Sequence, residues 1–205
     1  YGVIAMASST DVIGTHTKTV QDSAMILDII AGRDSRDGTT LNRPSESLEV
    51  TTLNVPLKIG IIEEYMGEGL DNETKLRINE QIEKLKSLGH TVDTVAVPSV
   101  SLALAVYYVV VPAELSSNLA RYDGIKYGHV SQDAQNLSET YEQSRAQGFN
   151  DDNKRRIMIG NYVLSSGYYH AYSRKAQTEH RKLINDFDNA FNPSDVLFGT
   201  TAPGS

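Results

Sequence analysis

The 205-residue chain contains no cysteine. That absence excludes disulfides, a cysteine nucleophile and thiolate metal sites. Its five histidines, His16, His90, His129, His170 and His180, share no metal-ligand spacing, so no metal site is expected. There is no Gly-x-x-x-x-Gly-Lys-Ser/Thr phosphate loop, and Gly67-Glu68-Gly69 is too short to be a dinucleotide fingerprint. Asp34-Ser-Arg-Asp37-Gly has the wrong spacing for a calcium loop. Without a Gly-x-Ser-x-Gly elbow, an α/β-hydrolase nucleophile has no support. The longest uninterrupted apolar run, Leu102 to Val111, is about half the roughly 20 residues of a membrane helix, and no membrane is expected as a partner. Positive charge is also short: 19 Lys and Arg stand against 26 Asp and Glu, a net charge of −7, which gives no reason to expect unaided nucleic-acid binding. Two sequons, Asn72-Glu-Thr and Asn136-Leu-Ser, are read as chance because no signal peptide precedes them, and the cytoplasm is the expected location.

What is present reads as a globular domain, 40% apolar and 22% charged. Thr19 as N-cap, Asp22 three residues on and Gly32 as a stop punctuate a helix over "TVQDSAMILDIIAG". Residues 33 to 56 are polar and turn-rich. "LKIGII" (57–62), an amphipathic helix over 71–89 and "HTVDTVAV" (90–97) make a βαβ unit, which implies a parallel pair. Residues 99 to 121 form an apolar helix that Pro112 is expected to kink or divide. A short helix is expected around "LSETYEQSRAQG". A long helical stretch over 152–191 is broken near Ser165-Ser166-Gly167, and "DVLFG" (195–199) is a final strand. The class is α/β. The chain begins at Tyr1 without Met and stops at Thr201-Ala-Pro-Gly-Ser205, so a piece of a longer protein is expected.

The helix beginning "NKRRIMIG" places three cations at its N-terminal end, where the helix dipole disfavours them. Arg156, Gly160, Val163 and Gly167 share one stripe, whereas Arg155 shares its stripe with the bulkier Ile159 and Tyr162. A mid-helix glycine costs about 1 kcal/mol against alanine, and close approach of another backbone rationalises Gly160. Arg156 therefore lies along the tightly packed edge, where a guanidinium needs a partner and suits a carboxylate. On the residues alone, the plainer reading is that both arginines are solvated or paired with Asp151 and Asp152. Tyr107 and Tyr108, inside the apolar helix, read as core residues whose hydroxyls find one partner, or as part of a substrate wall.

Three stretches carry a family resemblance. "YGVIAMASSTDVIGTHTKTVQDSAMILDIIAGRDSRDGTT" resembles the segment that follows the catalytic serines in the amidase signature family. "AELSSNLARYDGIKYGH" and "KRRIMIGNYVLSSGYYHAY" are more specific and resemble the glutamyl-tRNA(Gln) amidotransferase A subunits within that family. The likeness runs from Tyr1 to about Pro203. It implies an α/β fold of the amidase-signature type, a mixed β-sheet flanked by helices and here incomplete. Residues 1–205 would be a single partial domain, the central-to-C-terminal portion of the whole.

The family works with a Ser, a second Ser and a Lys, and no segment here matches either of their motifs. By resemblance, then, this chain holds no catalytic residue and is inactive alone. Carried over by motif position, Arg156 would hold the α-carboxylate of glutamine and Tyr107 would stand beside it, each within a doublet (Arg155/Arg156, Tyr107/Tyr108). The Asp that would hold the α-amino group lies downstream and is absent. The implied activity of the parent is that of a glutaminase subunit in a ligase of protein biosynthesis. It releases ammonia from glutamine for the conversion of Glu-tRNA(Gln) to Gln-tRNA(Gln). The implied partners are glutamine, the B and C subunits, and tRNA through the B subunit. ATP and magnesium would be used by the partner subunit, with no cofactor in this chain. A stand-alone amidase and a non-catalytic binding or assembly module are the alternatives. The sequence departs from the family pattern at Gly14-Thr15, Pro112, His170 and Gly199-Thr-Thr-Ala-Pro203.

Overall fold

The computed structural model describes residues 2–42, 47–48, 50, 55–165, 167–168 and 172–202. Tyr1, Ser166, His170 and Pro203, each named above, lie outside the described residues. The chain divides into two compact units, Tyr1–Asn54 and Val55–Ser205.

In the first unit, α1 (Val20–Ile30) starts where the punctuation places it. Thr19 Oγ1 accepts from the Asp22 amide at 3.1 Å, satisfying one of the free N–H groups of the first turn. The helix ends at Ala31, and Gly32 then turns the chain at φ 123°, a conformation that favours glycine. Asp34 and Asp37, the acidic pair of the discarded calcium reading, are turn residues. Their carboxylates accept from the amides of Arg36 at 2.9 Å and Thr39 at 2.8 Å.

The second unit opens with the βαβ unit. The strand β1 (Lys58–Ile62) buries Ile59, Ile61 and Ile62, so both of its faces are covered, as a central parallel strand requires. The helix α2 (Asn72–Ser87) is capped by Asp71, which accepts from the Thr74 amide at 3.0 Å, and it buries Ile78. The strand β2 (Thr91–Val95) then pairs with β1, Ile59 opposite Val92.

A short 3₁₀ helix (Pro98–Leu102) leads into α3 (Ala103–Leu119). The expected division at Pro112 does not occur, because α3 runs through the proline. Proline removes one backbone hydrogen bond, but here its ring is fully buried, and packing holds the helix together. The combined segment Pro98–Leu119 is also long and apolar enough, by length and composition, to cross a membrane. Counting only uninterrupted apolar residues passes this over, since the run stops at Pro112. Its buried stripe of Val106, Val111, Leu115 and Leu119 belongs to a helix packed on two other helices of the unit.

The helix α4 (Leu137–Gly148) ties down the end of α3: Arg145 Nη1 donates to the carbonyls of Leu119, the last residue of α3, at 2.9 Å and of Tyr122, just beyond it, at 2.8 Å. The helices α5 (Asp151–Leu164) and α6 (Ser173–Phe191) follow, separated near the expected break, and both lie against α3. The strand β3 (Val196–Phe198) pairs with the other edge of β1, giving the order β2-β1-β3. All three strands are parallel, so of the mixed sheet implied by resemblance only a parallel part stands among the described residues.

Gly60, in the middle of β1, is the tightest point of the sheet. A Cβ there would stand 2.6 Å from Ser194 Oγ and 2.8 Å from Leu197 Cδ2. Gly60→Ala is expected to destabilise the fold by about 1–3 kcal/mol through overpacking, read as a lowered Tm with the secondary structure retained.

Candidate functional site

The helix α5 is capped by Asn150, whose side chain accepts from the Asn153 amide at 2.9 Å. Its first turn carries Asp151 and Asp152, and these answer the three cations that follow. Asp151 pairs with Lys154 at 3.6 Å, while Asp152 takes Arg155 at 3.5 Å and Arg156 at 2.8 Å. Carboxylates at the first turn also favour the positive end of the helix dipole, so the basic run is tolerated.

The two arginines then part company. The Arg155 side chain is 69% exposed, whereas that of Arg156 is 22% exposed. Arg156 turns towards α3, where Nη1 donates to Tyr107 Oη at 2.6 Å. Its guanidinium carbon also lies 5.7 Å from the centroid of that tyrosine ring. Tyr108 makes no hydrogen bond to the arginine among the described residues and meets Tyr107 edge-on, ring centroids 5.3 Å apart. Of the four doublet residues, the fold thus brings together Arg156 and Tyr107, 49 positions apart.

The reason is the α3–α5 contact. Gly160 and Val163, one and two turns beyond Arg156 on its stripe, are buried. A Cβ on Gly160 would overlap the carbonyl oxygen of Pro112 and stand 2.5 Å from Ser116 Oγ. The Ser116 hydroxyl donates to the Ala113 carbonyl at 2.9 Å, so its hydrogen-bonding need is met within α3. Gly167, assigned to the same stripe, falls beyond the end of α5 and is exposed. Sequence reading missed the docking surface on α3, Pro112 and Ser116. Its signal was a pair of compact side chains at i and i+4 on one face.

Chemically the site is a cation with a free edge. The carboxylate of Asp152 first, and the Tyr107 hydroxyl second, hold the Arg156 pKa above its already high ordinary value, so the guanidinium cannot act as a base. Nε is taken by Asp152 and one Nη1 hydrogen by Tyr107, while Nη2 has no bonded partner among the described residues. Tyr107 Oη accepts from the arginine, which leaves its own hydrogen for another acceptor. Such a pair can offer hydrogen-bond donors to an anionic oxygen. No group of three or more His, Asp or Glu gathers in metal-binding fashion among the described residues.

The fold defines an α/β protein in which Arg156 and Tyr107 meet between two packed helices. By its sequence pattern the chain belongs to the amidase family, whose profile matches residues 1–205. The A subunit of glutamyl-tRNA(Gln) amidotransferase from Exiguobacterium sibiricum is 48% identical over 205 residues, covering 99% of this chain and 42% of that protein. The subunit of the same name from Chromohalobacter salexigens is 46% identical with the same coverage. The crystal structure of the Thermotoga maritima A subunit superposes with a TM-score of 0.69 at 33% identity, covering 100% of this chain and 40% of that one. An amidase crystal structure, 20% identical with a TM-score of 0.64, shares the fold. The chain thus spans about 42% of the length of the curated relatives it matches.

Gly160→Ala must push α5 off α3. The expected result is a loss of about 1–3 kcal/mol of stability, read from thermal or denaturant unfolding, because the clash is with backbone that cannot rotate away. A stability equal to that of the parent protein would show that the helix contact is slack.

Proposed function

We propose that this chain is a segment of the glutaminase subunit of a tRNA-dependent amidotransferase, and that Arg156 and Tyr107 form part of its glutamine pocket. The observation that carries the reading is the Arg156–Tyr107 hydrogen bond: motif resemblance points to the two doublets, and these are the members that meet between the helices. The guanidinium edge suits the α-carboxylate of glutamine as a charge-assisted, two-point contact, with the Tyr107 hydroxyl beside it. The relatives named as amidotransferase A subunits favour this over a stand-alone amidase.

In that reading the nucleophilic serine, its companion serine and the lysine lie outside these 205 residues. The serine attacks the side-chain amide of glutamine, an acyl-enzyme forms, and ammonia leaves. Arg156 contributes by fixing the amino-acid end of the substrate, so that the amide at the other end is presented at a constant distance. The ammonia passes to the B subunit, where ATP and magnesium activate glutamate on tRNA, and the C subunit completes the assembly. The work is cytoplasmic. This chain's net charge of −7 accords with leaving the tRNA to the partner.

Arg156→Ala in the full-length protein is expected to raise KM for glutamine about 30-fold, the equivalent of losing about 2 kcal/mol of charge-assisted hydrogen bonding, while Arg155→Ala stays within twofold. An unchanged KM in Arg156→Ala would return that residue to its ion pair with Asp152 alone. The 205-residue chain by itself is expected to hydrolyse no glutamine above background. Activity there would place the nucleophile within these residues. Full turnover of simple amides without partner subunits would favour the stand-alone amidase.

A further inference from the structure

Asp152 stands in the geometry of a positioning residue. Its Oδ2 takes Arg156 Nε at 2.8 Å, and its Oδ1 lies 3.5 Å from Arg155 Nη1. A guanidinium is a rigid plane, so one contact leaves it free to swing about the Nε–H direction and two contacts define it. Tyr107 supplies the second contact at Nη1. The plane is therefore set by one anchor from α5 itself and one from α3, with Nη2 left facing no described partner.

We infer that Asp152 positions the Arg156 guanidinium so that its Nη2 edge meets the substrate carboxylate, and that Asp152 touches no substrate itself. This rests on the reading of Arg156 as the carboxylate contact. Without Asp152, the cation keeps its charge and its tyrosine but loses the fixed plane. Bidentate recognition then becomes one of several side-chain orientations, and the loss appears in substrate binding. Asp151 supplies the control. It occupies the same first turn and gives the same service to the helix dipole, but it pairs with Lys154 and is not bonded to Arg156.

The test is glutamine kinetics in the full-length protein, in its complex if activity requires one. Asp152→Ala is expected to raise KM at least tenfold with kcat within threefold, whereas Asp151→Ala leaves both unchanged. Asp152→Glu, which keeps a carboxylate four residues before the arginine, is expected to bring KM back within threefold of the parent value. The double variant Asp152→Ala/Arg156→Ala is expected to be no worse than Arg156→Ala alone, because the aspartate acts only through the arginine.

An equal effect of Asp151→Ala and Asp152→Ala would overturn the inference in favour of a general helix-end charge. So would a failure of Asp152→Glu to restore KM, or an additive double variant. An unaltered KM in Asp152→Ala, with Arg156→Ala raised, sinks the positioning role and leaves the pocket reading standing. An unaltered KM in Arg156→Ala removes the pocket reading and this inference with it.

Discussion

The contact between Gly160 of α5 and the Pro112–Ser116 face of α3 governs the second unit of this chain. A helix pair normally stands 8–10 Å apart with side chains filling the gap. Here no Cβ fits between the Gly160 backbone and the Pro112 carbonyl. That proximity is what allows a tyrosine on one helix and an arginine on the other to meet at 2.6 Å. A larger residue at position 160 would move the start of α5 outward, and the arginine would then pair only with its own helix. The glycine gives up helix propensity, and the site gains its geometry.

The electrostatics of the α5 start are layered on that contact. Two aspartates and three cations occupy the first turn and a half, which makes the helix end nearly neutral locally and places each charge at i+3 or i+4 from its partner. Such pairs are worth little at an exposed surface. Arg156 is the exception, since it is mostly covered and bonded from both sides. Its charge is permanent, so an acceptor brought to its free edge meets a cation at any physiological pH.

Much of the local structure was legible. Thr19 caps its helix as read, because its short side chain reaches a free amide of the first turn; Asp71 and Asn136 do the same for α2 and α4, although only the structure brought them out as caps. The βαβ unit followed from two apolar runs around one amphipathic period. The effect of Pro112 was not legible. A proline alone predicts a kink or a break, and only its burial at a helix contact shows the helix continuing. The membrane-length reading of Pro98–Leu119 escaped for the same reason: the segment is continuous in space although proline interrupts its apolar run.

For the site, sequence by itself determined a stripe, a glycine and two doublets. Helical periodicity separates Arg156 from Arg155, because a 100° step places them on different faces and one face carries the small residues. It does not separate Tyr107 from Tyr108, since both faces of α3 are apolar. Nor does it say that residues 49 apart will touch. Those choices belong to the tertiary structure, for a physical reason. Periodicity fixes where a side chain points from its own helix, whereas the meeting of two side chains depends on how closely and at what register two helices pack. Here that register is set by one missing Cβ against one carbonyl oxygen.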